Sequence, residues 1–219
     1  QIMATQTGIG LQSFSAQVRF HRGAVAEAWQ TWGSILTSAR EARDPQILMP
    51  ALATGAMMAS EAGDEAAART LADEFVDFSA DHPVYLTMWL PTVAAPMAAL
   101  GMTGALQQLL RVADETGEWA RAQLDVVRAT LAAASGRHAE AVELWRAHVA
   151  AADRRNLVLA ATIGRIAAAW SSAALDDDTA ADQFLTVASE AAGALRAELL
   201  LDRIADQRLG DASATGAGA

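Results

Sequence analysis

The sequence contains no cysteine and no lysine. Without cysteine, the chain can form no disulfide, no thiolate zinc site and no cysteine nucleophile. Without lysine, a phosphate-binding loop of the Gly-Lys-Ser/Thr type is excluded as well. Strand signals are also scarce, because we find no run of alternating β-branched and aromatic residues between turn clusters. These absences leave helices as the expected building element.

Basic residues are outnumbered, with 16 arginines against 26 acidic residues and a formal net charge of −10. Nucleic-acid binding needs a basic footprint, so we expect no nucleic-acid partner, and an anionic membrane surface is disfavoured for the same reason. The first ten residues lack the basic region and apolar core of a signal peptide, which predicts a cytoplasmic protein. Arginine-only usage suggests a GC-rich, actinobacterial coding genome.

Alanine, the best helix former, makes up about a quarter of the chain. The clearest helical stretch is residues 118–153, which reads as two amphipathic helices joined at Gly136. Apolar residues recur at spacings of three and four in both halves, and neither stripe can be buried by its own helix. The short connection forces the helices antiparallel and face to face. The stripe residues are Leu124, Val127, Leu131 and Ala134, then Val142, Trp145, Val149 and Ala152.

The start of the second helix in this pair has a spacing that recurs along the chain. Glycines at 23, 63, 101 and 136 are 40, 38 and 35 residues apart, and apolar or small residues mostly follow each at offsets of five, nine and twelve. Periods of about 34 to 47 residues are typical of helix-pair solenoids, in which each pair covers the apolar face of the next. A plain bundle of irregular helical hairpins is the alternative.

At Gly136, Ala141 and Trp145 the sequence resembles the tetratricopeptide family, which places glycine, alanine and a bulky aromatic at this spacing. Residues 23, 28 and 32 repeat it. The first-helix half of the family signature is poorly kept, since Arg128-Ala129 stand at its leucine-glycine place and Asp153 replaces its terminal proline. The chain is most similar to degenerate repeat arrays at the C-terminal side of large actinobacterial regulators, where an ATPase module, sometimes with a cyclase or helix-turn-helix domain, precedes the array.

We therefore predict an all-α fold, a right-handed superhelix of about five antiparallel helix pairs over residues 1–209, with a flexible tail at 210–219. The resemblance implies a role in protein–protein interaction or signal sensing, within a larger protein of signalling or transcription regulation. Expected partners are another protein, another part of the same polypeptide, or a second copy of the chain. The segment is expected to be non-catalytic and to need no cofactor or metal.

In solenoids the first helix of each pair lines the concave face, and on that expectation five residues are candidate binding residues. Arginines there favour an acidic or C-terminal carboxylate partner through bidentate hydrogen bonds. The candidates are Tyr85, Trp89, Arg121, Arg128 and Arg165.

The uncharged stretch from Pro83 to Leu110 leaves other interpretations open. Its methionines and Trp89 suit an apolar small-molecule effector, so the alternative function is a sensor with an apolar pocket near residues 83–102. A membrane-spanning helix is disfavoured, because the stretch has two internal prolines at 91 and 96, two glycines and modest hydrophobicity. A buried helix pair explains it more simply.

Candidate catalytic or metal sites have simpler structural explanations. Asp176, Asp177 and Asp178 lack the alternating oxygen ligands and central glycine of a calcium loop, so a helix N-cap is the better interpretation. Gly8-Ile9-Gly10 is too short for a dinucleotide fingerprint and follows no strand. No Gly-x-Ser-x-Gly elbow is present.

Overall fold

The computed structural model describes the backbone of residues 2–216 and the side chains of residues 12–208. Within this described part the chain forms eleven α-helices and one short 3-10 helix, and no strand occurs. The all-α prediction is confirmed. The chain divides into two compact units, which are Gln1–Phe20 with Ala24–Val127, and His21–Gly23 with Arg128–Ala219.

The first unit contains most of α1, all of α2 to α6 and the first part of α7. The bounds are α1 Ile2–His21, α2 Val25–Ala42, α3 Pro45–Glu61, α4 Glu65–Ser79, a 3-10 helix Pro83–Tyr85, α5 Leu86–Ala99, α6 Thr103–Val112 and α7 Glu118–Ala134. Helix α3 is central, because α2, α4 and α5 all pack against it. Its residues from Ile47 to Ala59 are all buried, so this helix has no polar face.

The second unit contains the end of α7 and four further helices. These are α8 His138–Asp153, α9 Val158–Ala173, α10 Asp178–Leu195 and α11 Glu198–Gly216. Each of α8, α9 and α10 packs against the next helix in the sequence, and α11 also contacts α9. Ile166 of α9, Leu185 of α10, and Leu200 and Ile204 of α11 are buried together in one core.

Helices end at all four glycines that the sequence pattern identifies. Their φ angles lie between +73° and +79°, a region in which a side chain is strained, and the amide of the next residue donates to the carbonyl five positions back. The residue five positions after each glycine is fully buried. The four glycines are Gly23, Gly63, Gly101 and Gly136, and the buried residues are Ala28, Ala68, Leu106 and Ala141.

Three further helices end in the same way without glycine. Asn156, Asp176 and Arg196 have φ angles of +56°, +58° and +54°, and each is followed by the same backbone hydrogen bond. Together with Gly136 they are spaced by 20 residues, so α8, α9 and α10 form a regular series of equal-length steps. The spacing of glycines alone does not reveal this series, because three of its four members are other residues.

Other sequence predictions have different outcomes. Asp177 caps α10, since its carboxylate accepts from the amide of Ala180 at 3.1 Å. Among the described residues, no helix is both long and apolar enough to cross a membrane. Consecutive helices pack against one another as a repeat array requires, while the superhelical arrangement and the single domain over 1–209 stay predictions. So does the tail at 210–219, because no side chain beyond residue 208 is described.

Candidate functional site

The second unit carries an open cavity of about 350 Å³ between α8, α9 and α10, which we call the groove. One arginine from each of α8 and α9 lines it on one side, and one face of α10 lines it on the other. Its lining residues are Arg146, Arg165, Ala180, Gln183, Phe184 and Val187.

The amphipathic pattern of α10 positions its side of the groove. Ala181, Leu185 and Ala188 are almost fully buried in the core of the second unit. The groove residues from Ala180 to Val187 follow one another at intervals of three, one and three, which places them on an adjacent face of the helix. Val187 is 45% exposed, so the groove has an apolar surface that water can reach.

Arg165 is held in place on α9. Its Nη2 donates to Oδ2 of Asp153, the last residue of α8, at 2.5 Å. The Arg165 side chain is only 15% exposed, whereas that of Asp153 is 48% exposed. Packing therefore fixes the arginine more firmly than its acidic partner, and the guanidinium faces the groove with little freedom left to lose on binding.

Arg146 of α8 lies over an aromatic ring. Its guanidinium carbon is 5.6 Å from the centre of the Phe184 ring, within the range of a cation–π contact. Its Nη1 also donates to Oε1 of Glu143 at 2.6 Å, in a pair that is largely exposed. The ring thus supports the guanidinium at the groove, and the exposed ion pair contributes at most about 1 kcal/mol.

The lining is positively charged although the whole chain is strongly acidic. Arg146 and Arg165 are the charged residues that line the groove, and neither is paired with another lining residue. Each ion pair uses one terminal nitrogen, while a guanidinium carries five N–H donors. The groove can accordingly donate several hydrogen bonds to carboxylates that lie along α10, next to the apolar surface of Phe184 and Val187.

The candidate residues predicted from the sequence fall into both units. Tyr85 ends the 3-10 helix, and its hydroxyl accepts from Nε2 of Gln46 at 3.2 Å. Trp89 is 7% exposed and lies 5.5 Å from the Phe14 ring, so most of its surface is used in packing. Arg121 is exposed in the first turns of α7. These three residues belong to the first unit.

Arg128 and Arg165 belong to the second unit, and Arg165 is the predicted residue that lines the groove. Sequence reasoning missed Arg146 and Phe184. Arg146 lies outside the apolar stripe of α8, but an outward position on one helix does not reveal which neighbouring helix it meets. The available signal was Phe184 itself, a large apolar residue beside the core stripe of α10 rather than within it.

The apolar stretch proposed as an effector pocket is mostly core. Leu86, Leu90, Val93 and Met97 of α5 are fully buried, and α5 packs against α3. Val84 and Met88, in contrast, are 77% and 59% exposed. An apolar pocket near residues 83–102 stays a prediction.

The comparisons with known proteins assign no family. No protein-family model matches the chain, and no curated protein matches it significantly. Among the described residues, no three His, Asp or Glu side chains lie close enough together to hold a metal ion. The groove itself is therefore the basis for a functional assignment.

Proposed function

We propose that this chain is a helical-repeat domain that binds a protein segment, either from a partner or from another part of its own polypeptide, and that it is not catalytic by itself. The groove between α8, α9 and α10 carries the proposal. It combines two arginines held from different helices with a solvent-accessible aromatic and aliphatic surface. Arginine and aromatic residues of this kind are enriched where proteins bind one another.

The helix architecture supports the same assignment. Consecutive helices of the second unit pack with a repeating 20-residue step, and such repeats present extended surfaces whose side chains vary without changing the fold. The resemblance to tetratricopeptide-like arrays agrees with this role. We further propose that the chain works in the cytoplasm as part of a larger regulator in signalling or transcription control.

A site-specific photocrosslinker tests the binding function. p-Benzoylphenylalanine is introduced at Val187, in the groove, and separately at Val112, which is 59% exposed in the first unit and serves as the control. In native cells we expect one dominant polypeptide segment to crosslink at position 187, but not at position 112. The same weak pattern at both positions would argue against the groove as a binding site.

The regulatory role has an independent test in the gene. We expect the reading frame that encodes this chain also to encode an ATPase, cyclase or helix-turn-helix module. A reading frame that encodes the helical array alone would overturn the regulator proposal and leave the binding proposal intact.

A further inference from the structure

We infer that the groove recognises an acidic segment, in which carboxylate side chains flank an apolar side chain. This inference rests on the proposed binding function and adds the chemistry of the partner. It depends on three features of the groove, which are its charge, its length and the position of its apolar surface.

The positive charge of the groove lining favours a partner with carboxylate side chains. The two charged lining residues, Arg146 and Arg165, are both positive in a chain of net charge −10. Screening confines the influence of distant acidic residues to about 8 Å at physiological salt, so the nearby guanidiniums dominate inside the groove. Glu143 and Asp153 are 72% and 48% exposed, and such exposed partners exchange for an incoming carboxylate at little cost.

The length of the groove favours an internal peptide segment over a chain terminus as the partner. The face of α10 from Ala180 to Val187 covers seven helical steps of 1.5 Å, or roughly 10 Å. An extended peptide spans this length with about three residues. Two guanidiniums come from two different helices, and a segment with two carboxylates can offer one to each, which a terminal carboxylate alone does not.

The apolar surface fixes what lies between the carboxylates. Phe184 has one guanidinium over its ring, and Val187 is one helical turn further along the same face. An apolar side chain of the partner placed there removes water from the ring and from the cation–π contact, and both contacts strengthen when they are desolvated.

A random twelve-residue phage-displayed peptide library, selected on the purified 219-residue chain, tests the inference. The Gln183→Trp variant fills the groove with a large side chain at an exposed position. Peptides that bind the unchanged chain but not this variant are counted as groove-dependent binders. We expect these binders to be enriched in Asp and Glu around an apolar residue. We also expect the Arg146→Gln and Arg165→Gln variants to bind them about tenfold more weakly or worse, as for loss of charged hydrogen bonds.

Arg137→Gln is the matched control, because Arg137, the N-cap residue of α8, pairs with Glu140 of that helix and lies outside the groove. This variant should bind the selected peptides as the unchanged chain does. Thermal unfolding of each variant checks that the fold is retained.

The outcomes separate the two proposals. Groove-dependent binders without acidic residues, or an equal effect of Arg137→Gln and Arg165→Gln, would overturn the acidic inference and leave protein binding standing. A selection that yields no groove-dependent binder would overturn the groove as the site of the proposed function, and the acidic inference with it.

Discussion

Two helix junctions share one sequence spacing but pack in different ways. Trp32 of α2 follows a helix-ending glycine by nine residues, and Trp145 of α8 does the same. In both cases a buried glycine on the next helix lies beside the tryptophan. These glycines are Gly55 in the first unit and Gly164 in the second.

In the first unit the glycine makes room for the ring. A Cβ atom at Gly55 would lie 2.2 Å from Cζ2 of Trp32, closer than any two such atoms can approach. The indole Nε1 donates to the carbonyl of Ala51 at 2.7 Å, the same carbonyl that the helix pattern pairs with the amide of Gly55. The absent side chain is what lets the indole reach the backbone of α3.

In the second unit the glycine brings two helices together. A Cβ atom at Gly164 would lie 3.0 Å from Cγ2 of Val149 and 3.2 Å from Cδ2 of His148, but 3.8 Å from Trp145. The tryptophan is at ordinary contact distance, and the tight neighbours are the other residues of α8. One sequence spacing therefore occurs with two packing arrangements, which the following predictions separate.

Gly55→Ala should have the largest effect. The added methyl group expels the Trp32 ring. Losing its packing lowers the free energy of unfolding by about 3–4 kcal/mol, the lower part of the range for truncation of a buried aromatic residue, because Trp32 is itself only partly buried. Urea unfolding measures the loss, and Gly33→Ala is the control. Gly33 is also helical but has nothing within 4 Å of its Cβ position, so alanine there stabilises by up to about 1 kcal/mol. Similar values for the two variants would contradict the packing of Trp32 on Gly55.

Acid should weaken the second unit through His21. Burial, with a smaller contribution from the charge of Arg203, lowers the pKa of His21 to about 4 from its usual 6.5. Between these values the unfolded chain takes up a proton that the folded protein does not, so stability falls as the pH falls. The loss saturates at about 3 kcal/mol below pH 4, and above pH 6.5 the neutral residue adds no pH dependence.

Urea unfolding of the chain and of His21→Gln at pH 7 and at pH 4 measures this contribution. The glutamine variant should lose about 3 kcal/mol less stability over that range, whatever its absolute stability. NMR can follow the titration of the His21 imidazole in the folded protein. A midpoint near pH 6.5 would contradict the lowered pKa of His21.

Gly164→Ala should have a smaller effect than Gly55→Ala. Val149 and His148 must shift by a few tenths of an ångström, and overpacking of this kind costs about 1–3 kcal/mol. The better helix propensity of alanine offsets up to about 1 kcal/mol, which leaves a net loss of about 1 kcal/mol. Urea unfolding measures it, and trimming the neighbour in Gly164→Ala/Val149→Ala should relieve the contact. A loss as large as that of Gly55→Ala would show that the two junctions are alike.

Arg196→Gly should give the smallest change and a gain in stability. Arg196 ends α10 at φ +54°, the conformation that Gly136 adopts at +73° when it ends α7. Glycine removes the strain of about 1–2 kcal/mol but loses more chain entropy on folding, so the net gain is about 0.5–1 kcal/mol. We expect the Tm to rise by about 2–3 °C. The reverse change, Gly136→Arg, should lower the Tm. If both substitutions leave the Tm unchanged, the backbone at Arg196 is not strained.

Much of the secondary structure could be predicted from local chemistry. The helix ends at Gly63, Gly101 and Gly136 follow from the conformational freedom of glycine, and the N-cap at Asp177 follows from the hydrogen-bonding reach of its carboxylate. The left-handed conformations of Asp176 and Arg196, which follow α9 and α10, could not be predicted in this way. Neither residue is a glycine, so residue type alone does not demand a positive φ there.

The candidate site was less predictable than the fold. Arg165 was singled out because it lies on the first helix of a predicted pair, and that reasoning requires no knowledge of its neighbours. The contact of Arg146 with Phe184 joins residues 38 positions apart on α8 and α10. Periodicity within one helix cannot reveal such a contact, because the contact depends on how two helices are set beside a third.

The sequence by itself determined that the chain is helical, where most helices begin and end, and which residues of each helix are apolar. It did so because these properties depend on residues within one or two turns of each other. Only the tertiary structure decided that Trp32 bonds to a backbone carbonyl over Gly55 while Trp145 does not, and that two arginines and a phenylalanine share a groove. Those features depend on distances between helices, and a difference of an ångström there separates a hydrogen bond from a simple packing contact.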